Sequence, residues 1–233
     1  YAGSANAAKA LSDLYAVNYL TNDTLSSAPS FEDLQNQMNN SAVGNNLLLN
    51  TKDYANNWTW NVTPAINTSQ TPNILHYPKT TLTSGSSVIM AQNIGTILQP
   101  STTYTASFYA KGTGSFIFYC YPDVSATLSA TNGTAIPSTT DCHTNITLTD
   151  NYVRYTITFT TLPTLSGSKS FLLRQYYDSN NSSVNTVDAY IYGAKLEKGS
   201  AATDWSLNPA EILTQSDYAK IKAAIVALGG SLS

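Results

Sequence analysis

The sequence predicts a mostly-β protein, an antiparallel sandwich or barrel flanked by N- and C-terminal helices. Three observations carry that expectation. Short stretches with apolar side chains at every second position recur between Asn46 and Leu196, separated by Gly-, Pro- and Asn-containing connectors. Residues that favour strands are abundant, with 16 tyrosines and many threonines in 233 residues. The apolar period lengthens to three or four at both ends of the chain, as amphipathic helices require.

Taken in order, Ser4 to Leu20 places Ala7, Leu11, Leu14, Tyr15 and Ala16 on one helical stripe. Ser30 can cap a second, shorter helix, with Asp33 at the capping-box position and Phe31, Leu34 and Met38 as its stripe. These helices and a linker form an adaptor over residues 1–45. A β-sandwich module is expected over residues 46–209. Its strands are predicted at Leu47–Leu49, Trp58–Trp60, Ile74–Tyr77, Ser87–Ala91, Ile94–Leu98, Thr103–Ala110, Ser115–Tyr121, Val153–Thr160, Ser170–Tyr177 and Asp188–Leu196. In Val153–Thr160 the alternation puts Val153, Tyr155, Ile157 and Phe159 inward and Arg154, Thr156 and Thr158 outward. In the last strand, period two groups Tyr190, Tyr192, Ala194 and Leu196 on one face, against Ile191, Gly193, Lys195 and Glu197. Residues 210–233 hold a C-terminal helix from Ser216 to Leu228, ended by Gly229-Gly230.

Composition removes several function classes. Hydrophobic residues make up 42% of the chain and charged residues only 11%, against roughly 25% charged in ordinary domains. The surface is therefore built from neutral polar groups. A net charge of -3 is the wrong sign for a nucleic-acid partner, which needs a basic patch. No apolar run approaches the roughly 18 residues of a membrane span. The two histidines, His76 and His143, belong to no catalytic motif, and neither do the sandwich-region acids Asp123, Asp141, Asp150, Asp178, Asp188, Glu197 and Asp204. The reading is a non-catalytic protein that requires no cofactor.

The segments NLLLN (from Asn46), TYTASFYAKG (from Thr103), YVRYTITFT (from Tyr152) and the closing GAKLEKG followed by ATDW (from Gly193 to Trp205) resemble the carbohydrate-binding, jelly-roll modules of phage tail and baseplate proteins that attack Gram-positive bacteria. The resemblance covers about Asn46 to Pro209. It implies a jelly roll and a receptor-binding, lectin-like module of the virion tail or baseplate. Such a module would act outside the host cell, with cell-wall polysaccharide and other tail or baseplate proteins as partners. The alternatives are a structural tail subunit with protein contacts only, and a binding module of a secreted bacterial enzyme or a cell-surface adhesin. Modules of the kind resembled often hold a structural calcium between first and last strands. Asp188 is the acid placed to contribute, with backbone carbonyls near Asn46.

Saccharide binding is expected of aromatic rings, because a sugar presents an apolar C–H face ringed by hydroxyls and a rigid ring covers it at small entropic cost. Parity in Ser115–Tyr121 puts Phe116, Phe118 and Cys120 inward, which leaves Tyr119 and Tyr121 outward. Parity in Ser170–Tyr177 puts Phe171 and Leu173 inward and Arg174 and Tyr176 outward. Trp58 and Trp60 share a face, one ring buried and the other partly exposed. The candidate saccharide-binding set is therefore Trp58, Trp60, Tyr119, Tyr121, Arg174 and Tyr176. Trp205 is expected to plug the end of the sandwich. The chain between Cys120 and Cys142 is long enough to fold back and close a disulfide worth about 3 kcal/mol, with a buried Cys120 thiol as the alternative.

Overall fold

The computed structural model describes residues 44–120, 124–138, 142–165, 167, 169–180, 185–212 and 215–227. The chain divides into two compact units, residues 39–212 and a second that groups residues 1–38 with 213–233. The helices expected before Asn46 lie outside the described residues.

The described residues of this first unit hold eleven strands: β1 (Ala65–Asn67), β2 (Ile74–Thr81), β3 (Ser86–Asn93), β4 (Thr103–Thr113), β5 (Ser115–Cys120), β6 (Val124–Thr131), β7 (Thr134–Ile136), β8 (His143–Thr147), β9 (Val153–Thr161), β10 (Ser170–Tyr176) and β11 (Thr186–Lys198). A one-turn helix, α1 (Pro209–Ile212), follows. The second unit contains α2 (Gln215–Ala227).

All strand pairs are antiparallel. They form a six-stranded sheet in the order β1-β2-β11-β4-β9-β6 and a five-stranded sheet in the order β3-β10-β5-β8-β7. The chain alternates between the sheets from β2 to β7 and again from β8 to β11, as a jelly roll does. The mostly-β expectation and the antiparallel jelly-roll sandwich are both observed.

The core lies between the sheets and is strongly aromatic. Tyr77, Tyr104, Phe108, Tyr155 and Phe159 come from the six-stranded sheet, and Phe116, Phe118, Phe171 and Leu173 from the other, all at 3% exposure or less. Phe118 meets Phe171 edge-on at 5.1 Å, and Phe108 spans the layers to Phe116 at 6.2 Å and Phe171 at 6.4 Å. Burial of one such ring stabilises by about 1.5–3 kcal/mol. One polar network crosses this interior. The Tyr77 hydroxyl donates to the Gln175 side-chain oxygen and shares a hydrogen bond with the Ser87 hydroxyl, and the Gln175 amide donates to the carbonyls of Thr80 and Asn185.

Several elements differ from expectation. Leu47–Leu49 is irregular, with Leu47 and Leu48 buried and Leu49 half-buried, and is joined to β11 by the Leu47 N–H to Leu196 carbonyl bond. Trp58–Trp60 contributes a single bridge, Thr59 to Ala91. Ile94–Leu98 is a turn, closed by bonds from the amides of Ile97 and Leu98 back to the Ile94 carbonyl. β6, β7 and β8 occupy a stretch that showed no regular apolar alternation. β4 runs on to Thr113, beyond the expected Ala110, and the chain leaves one sheet for the other at Gly114.

In β11 the expected grouping of Tyr190, Tyr192, Ala194 and Leu196 on one face is overturned. Tyr190 and Tyr192 are half-exposed on the outer face, while Ala194 and Leu196 are fully buried in the core with Val187, Ala189 and Ile191. The cause is a bulge: the register with β4 shifts between Tyr192 and Lys195. Gly193 there has φ +65, a left-handed backbone that glycine adopts readily. One extra residue on one strand reverses every side chain beyond it.

Lys195 and Glu197 consequently face outward, yet their side chains are only 1% and 0% exposed. The loop from Gly199 to Ser206 folds back over them. The Lys195 ammonium donates to the carbonyls of Gly44 and Asp204 and to the Thr203 hydroxyl, and lies 3.6 Å from Glu197. Glu197 accepts from the Thr203 amide and hydroxyl. Burial pulls the Lys195 ammonium below the usual lysine range, and Glu197 opposes that shift. At the same end, Asn46 donates to Thr51, Ala194 and Ser206 and accepts from the amides of Leu48 and Leu196. Trp205 donates to Thr51. The opening NLLLN and the closing GAKLEKG and ATDW are thus two halves of one structural clasp, in which Trp205, expected as a plug, is half-buried.

Candidate functional site

The candidate site lies on the outer face of the five-stranded sheet. Register sets its rows. Arg174 of β10 pairs with Ile117 of β5, which pairs with Asn145 of β8. Ser115 of β5 pairs with Thr147 of β8. Parity directs all five side chains outward, opposite Phe116, Phe118, Ile146 and Leu173. A cavity of about 330 Å³ opens over these rows, lined by Ser115, Ile117, Asn145, Thr147, Tyr176 and Asp178.

Tyr176 is the aromatic wall, with 40% of its surface exposed. Its hydroxyl accepts from Arg174 at 3.2 Å, and the Arg174 guanidinium packs 5.8 Å from the ring centroid. The Arg174 Nε is buried without a hydrogen-bond partner among the described residues, so one charged donor direction is unused. Asp178 is placed by Asn185. The Asp178 amide donates to the Asn185 side-chain oxygen at 2.6 Å, and the Asn185 amide group returns a bond to the Asp178 carbonyl at 2.9 Å. The Asp178 carboxylate accepts from the Asn180 amide. Ser115 and Thr147 hydroxyls stand 3.3 Å apart on the cavity floor. The cavity therefore combines an exposed ring, an aliphatic side chain, a carboxylate, an amide and two hydroxyls. That set can stack on an apolar face while donating to and accepting from hydroxyls at its edge.

The sequence-predicted residues divide accordingly. Tyr176 lines this cavity, and Arg174 packs against its ring beside it. Tyr119 points outward as parity predicts but is only 9% exposed, in a cluster with Ala91 and Leu172. Its ring also stacks with His143 at 6.3 Å. Its face is covered, so it is no stacking platform. Trp58 belongs to the core between Tyr54 and Phe171, with its indole N–H donating to the Leu49 carbonyl. It cannot meet a ligand. Trp60 is half-buried against that core, so the pair does split into one buried and one partly exposed ring. Tyr121 lies outside the described residues. Asn145, Thr147, Ser115, Ile117 and Asp178 were missed by the sequence reading. Each is an ordinary strand or loop residue until β5, β8 and β10 are placed side by side.

Cys120 closes β5, but its side chain, and with it the expected cysteine pairing, lies outside what the structure describes. Cys142 is buried at 3%.

The calcium expectation meets a different geometry. Asp188 pairs with His76 through a 2.7 Å contact, whereas Asn46 sits beside Ala194 and Leu196. Six or more strand residues separate the two positions, roughly 20 Å along β11. Among the described residues no group of three or more His, Cys, Asp or Glu can hold a metal. Calcium needs six to eight oxygens, and the expected donors do not converge. Addition of excess chelator should therefore leave the melting temperature unchanged within about 1 °C by differential scanning fluorimetry, and a fall of several degrees would restore the metal.

No helix among the described residues is long and apolar enough to cross a membrane. No protein-family model matches the chain, and no curated protein matches it in sequence. Among solved structures, the fold is similar to the family 11 carbohydrate-binding module of a cellulosomal cellulase from Clostridium thermocellum. That module is 15% identical, with a TM-score of 0.43, and the match covers 69% of this chain and 99% of the module. A xylan-binding domain from Paenibacillus barcinonensis is 12% identical, with a TM-score of 0.39, over 69% of this chain and 100% of that domain. The tripod from the baseplate of bacteriophage Tuc2009 is 16% identical, with a TM-score of 0.43, and the match covers 75% of this chain and 62% of the tripod chain.

Proposed function

We propose that residues 46–209 form a non-catalytic saccharide-binding module that uses the cavity on the five-stranded sheet. Carried by a phage tail or baseplate, it would recognise a wall saccharide of a Gram-positive host. The observation that carries the reading is the lining of that cavity: the exposed Tyr176 ring beside Ile117, with Asn145, Ser115, Thr147 and Asp178 around it. The volume suits one or two sugar rings. The lining also argues for binding rather than hydrolysis. It contains one carboxylate, Asp178, and a glycosidase needs two set about the scissile bond.

Magnitudes favour a weak site used in many copies. A ring covering about 50 Å² of apolar sugar surface yields about 1.3 kcal/mol. Each edge hydrogen bond adds about 1 kcal/mol, and immobilising the sugar subtracts from the sum. A single site then binds in the roughly millimolar to micromolar range, and mounting several copies on one particle raises avidity about 100-fold or more.

The test uses the intact chain, alone and clustered, on a glycan array and on extracted Gram-positive wall polysaccharide. Tyr176→Ala and Asn145→Ala should each weaken binding at least 10-fold while the melting temperature stays within about 2 °C, because both side chains are exposed. Parental binding by both folded variants would remove the cavity from the reading. Silence of the clustered protein toward every wall saccharide would favour the structural tail subunit.

A further inference from the structure

The outer face of the six-stranded sheet carries a second concentration of aromatic side chains, on the opposite side of the sandwich. Register sets His76, Tyr190 and Lys111 side by side on β2, β11 and β4. It sets Tyr192, Tyr109 and Arg154 side by side on β11, β4 and β9. The rings stack on one another across the strands. His76 lies on Tyr190 at 4.1 Å with planes 2° apart, and Tyr109 on Tyr192 at 4.9 Å with planes 3° apart. These separations match the strand spacing, so the rings stand upright on the sheet. Tyr152 meets Tyr192 edge-on at 4.9 Å. The Lys111 ammonium sits over the rings of Tyr152 and Tyr190, and the Arg154 guanidinium over Tyr109.

The ring faces are therefore occupied by neighbours. Solvent meets ring edges, phenol hydroxyls and the two cations. A ring edge is the positive end of the aromatic quadrupole, so the exposed groups favour acceptors and negative charge. This differs from the cavity, where a ring face is free. Two carboxylates share this face: Asp188 is held by His76 at 2.7 Å, and the fully exposed Asp204 stands 4.0 Å from Arg154. The Arg154 guanidinium also donates to the Ser107 hydroxyl and the Thr203 carbonyl and keeps 23% of its side chain exposed. Lys111 has no carboxylate within ion-pair distance among the described residues. Burial, joined by the neighbouring tyrosines, pushes the Tyr152 and Tyr192 phenols above their ordinary range, so they remain neutral donors.

We propose that this face is a second binding site that takes an acidic glycan, whose carboxylate or phosphate oxygens accept from Lys111, Arg154 and the tyrosine hydroxyls between them. The site spans β2, β11, β4 and β9, about 14 Å across, and Lys111 and Arg154 stand on adjacent strands. A polymer with repeated acidic groups can engage both. The proposal is independent of whether the opposite cavity binds sugar.

Affinity electrophoresis of the intact chain through gels of polygalacturonate, poly(glycerol phosphate) or neutral dextran tests it. At low salt the acidic polymers should retard the parent, and Lys111→Gln should weaken that retardation at least 10-fold. Lys111→Glu should abolish it. Tyr176→Ala should keep parental retardation, which separates this site from the cavity. Raising salt from about 50 to 500 mM should weaken retardation at least 10-fold, because exposed charges are screened. Retardation by only one acidic polymer identifies carboxylate or phosphate as the group read. The proposal is overturned if neither acidic polymer retards the parent, if folded Lys111→Gln migrates as the parent does, or if Tyr176→Ala abolishes the effect.

Discussion

Replacing Glu197 by Ala should cost about 3–5 kcal/mol of folding stability, read as a lower urea midpoint at unchanged slope. The side chain is fully buried and accepts from the Thr203 amide and hydroxyl, with the Lys195 ammonium at 3.6 Å. Removal leaves a buried cation and two donors with fewer acceptors, and that uncompensated state is the source of the loss. A marginally stable domain has about 5–15 kcal/mol in all, so about a fifth or more of it rests on this one carboxylate. Lys195→Met in the Glu197→Leu background should recover part of the loss, since apolar side chains of similar volume often replace a buried ion pair without penalty. Recovery should stay incomplete, because Lys195 also holds the carbonyls of Gly44 and Asp204. A Glu197→Ala loss below about 1 kcal/mol would mean that the Gly199–Ser206 loop is not fastened through this pair.

Gly114→Ala should be comparably damaging, at about 3 kcal/mol or more. Gly114 joins β4 of one sheet to β5 of the other with φ +90, and an added Cβ would stand 2.1 Å from the Thr186 carbonyl oxygen. The obstacle is backbone of β11, which cannot rotate away as a side chain can. Left-handed strain of about 1–2 kcal/mol is thus joined by displacement of a central strand. Gly85→Ala isolates the first contribution. Gly85 has φ +68 but open space around it, so its loss should be limited to about 1–2 kcal/mol. Equal losses at the two positions would show that the contact with Thr186 relaxes freely.

The sequence disclosed what alternation controls. In β9 the two faces differ sharply in polarity, and Tyr155, Ile157 and Phe159 sit in the core as parity required; in β5 and β10 both faces carry apolar side chains, and the phenylalanines mark the inward one, Phe116–Phe118 and Phe171–Leu173. Parity failed in β11, where Gly193 inserts one residue and sends Tyr190 and Tyr192 outward while Ala194 and Leu196 stay inward. A single glycine in a strand is compatible with either outcome. Burial of an outward side chain was equally invisible. Tyr119 has the right parity, yet its cross-strand neighbour Leu172 and the adjacent Ala91 cover it. The cavity was legible only at Tyr176 and, beside it, at Arg174, which packs on that ring. Its amide and hydroxyl groups come from β5 and β8, whose pairing depends on long-range contacts rather than on local pattern. The same holds for the upright tyrosine rows, which arise from the register of three strands.

β11 is the last strand along the chain and lies between β2 and β4, not at an edge. During synthesis, β2 and β4 are therefore complete while the position between them is vacant, and each exposes a row of unpaired backbone groups. The six-stranded sheet can close only after residue 198 has emerged. Most of the required pairings also join strands distant in sequence, a topology that folds slowly. A nascent or C-terminally shortened chain is consequently the aggregation-prone form of this protein, and the clasp of Asn46, Lys195 and Glu197 fastens only at the final step of that assembly.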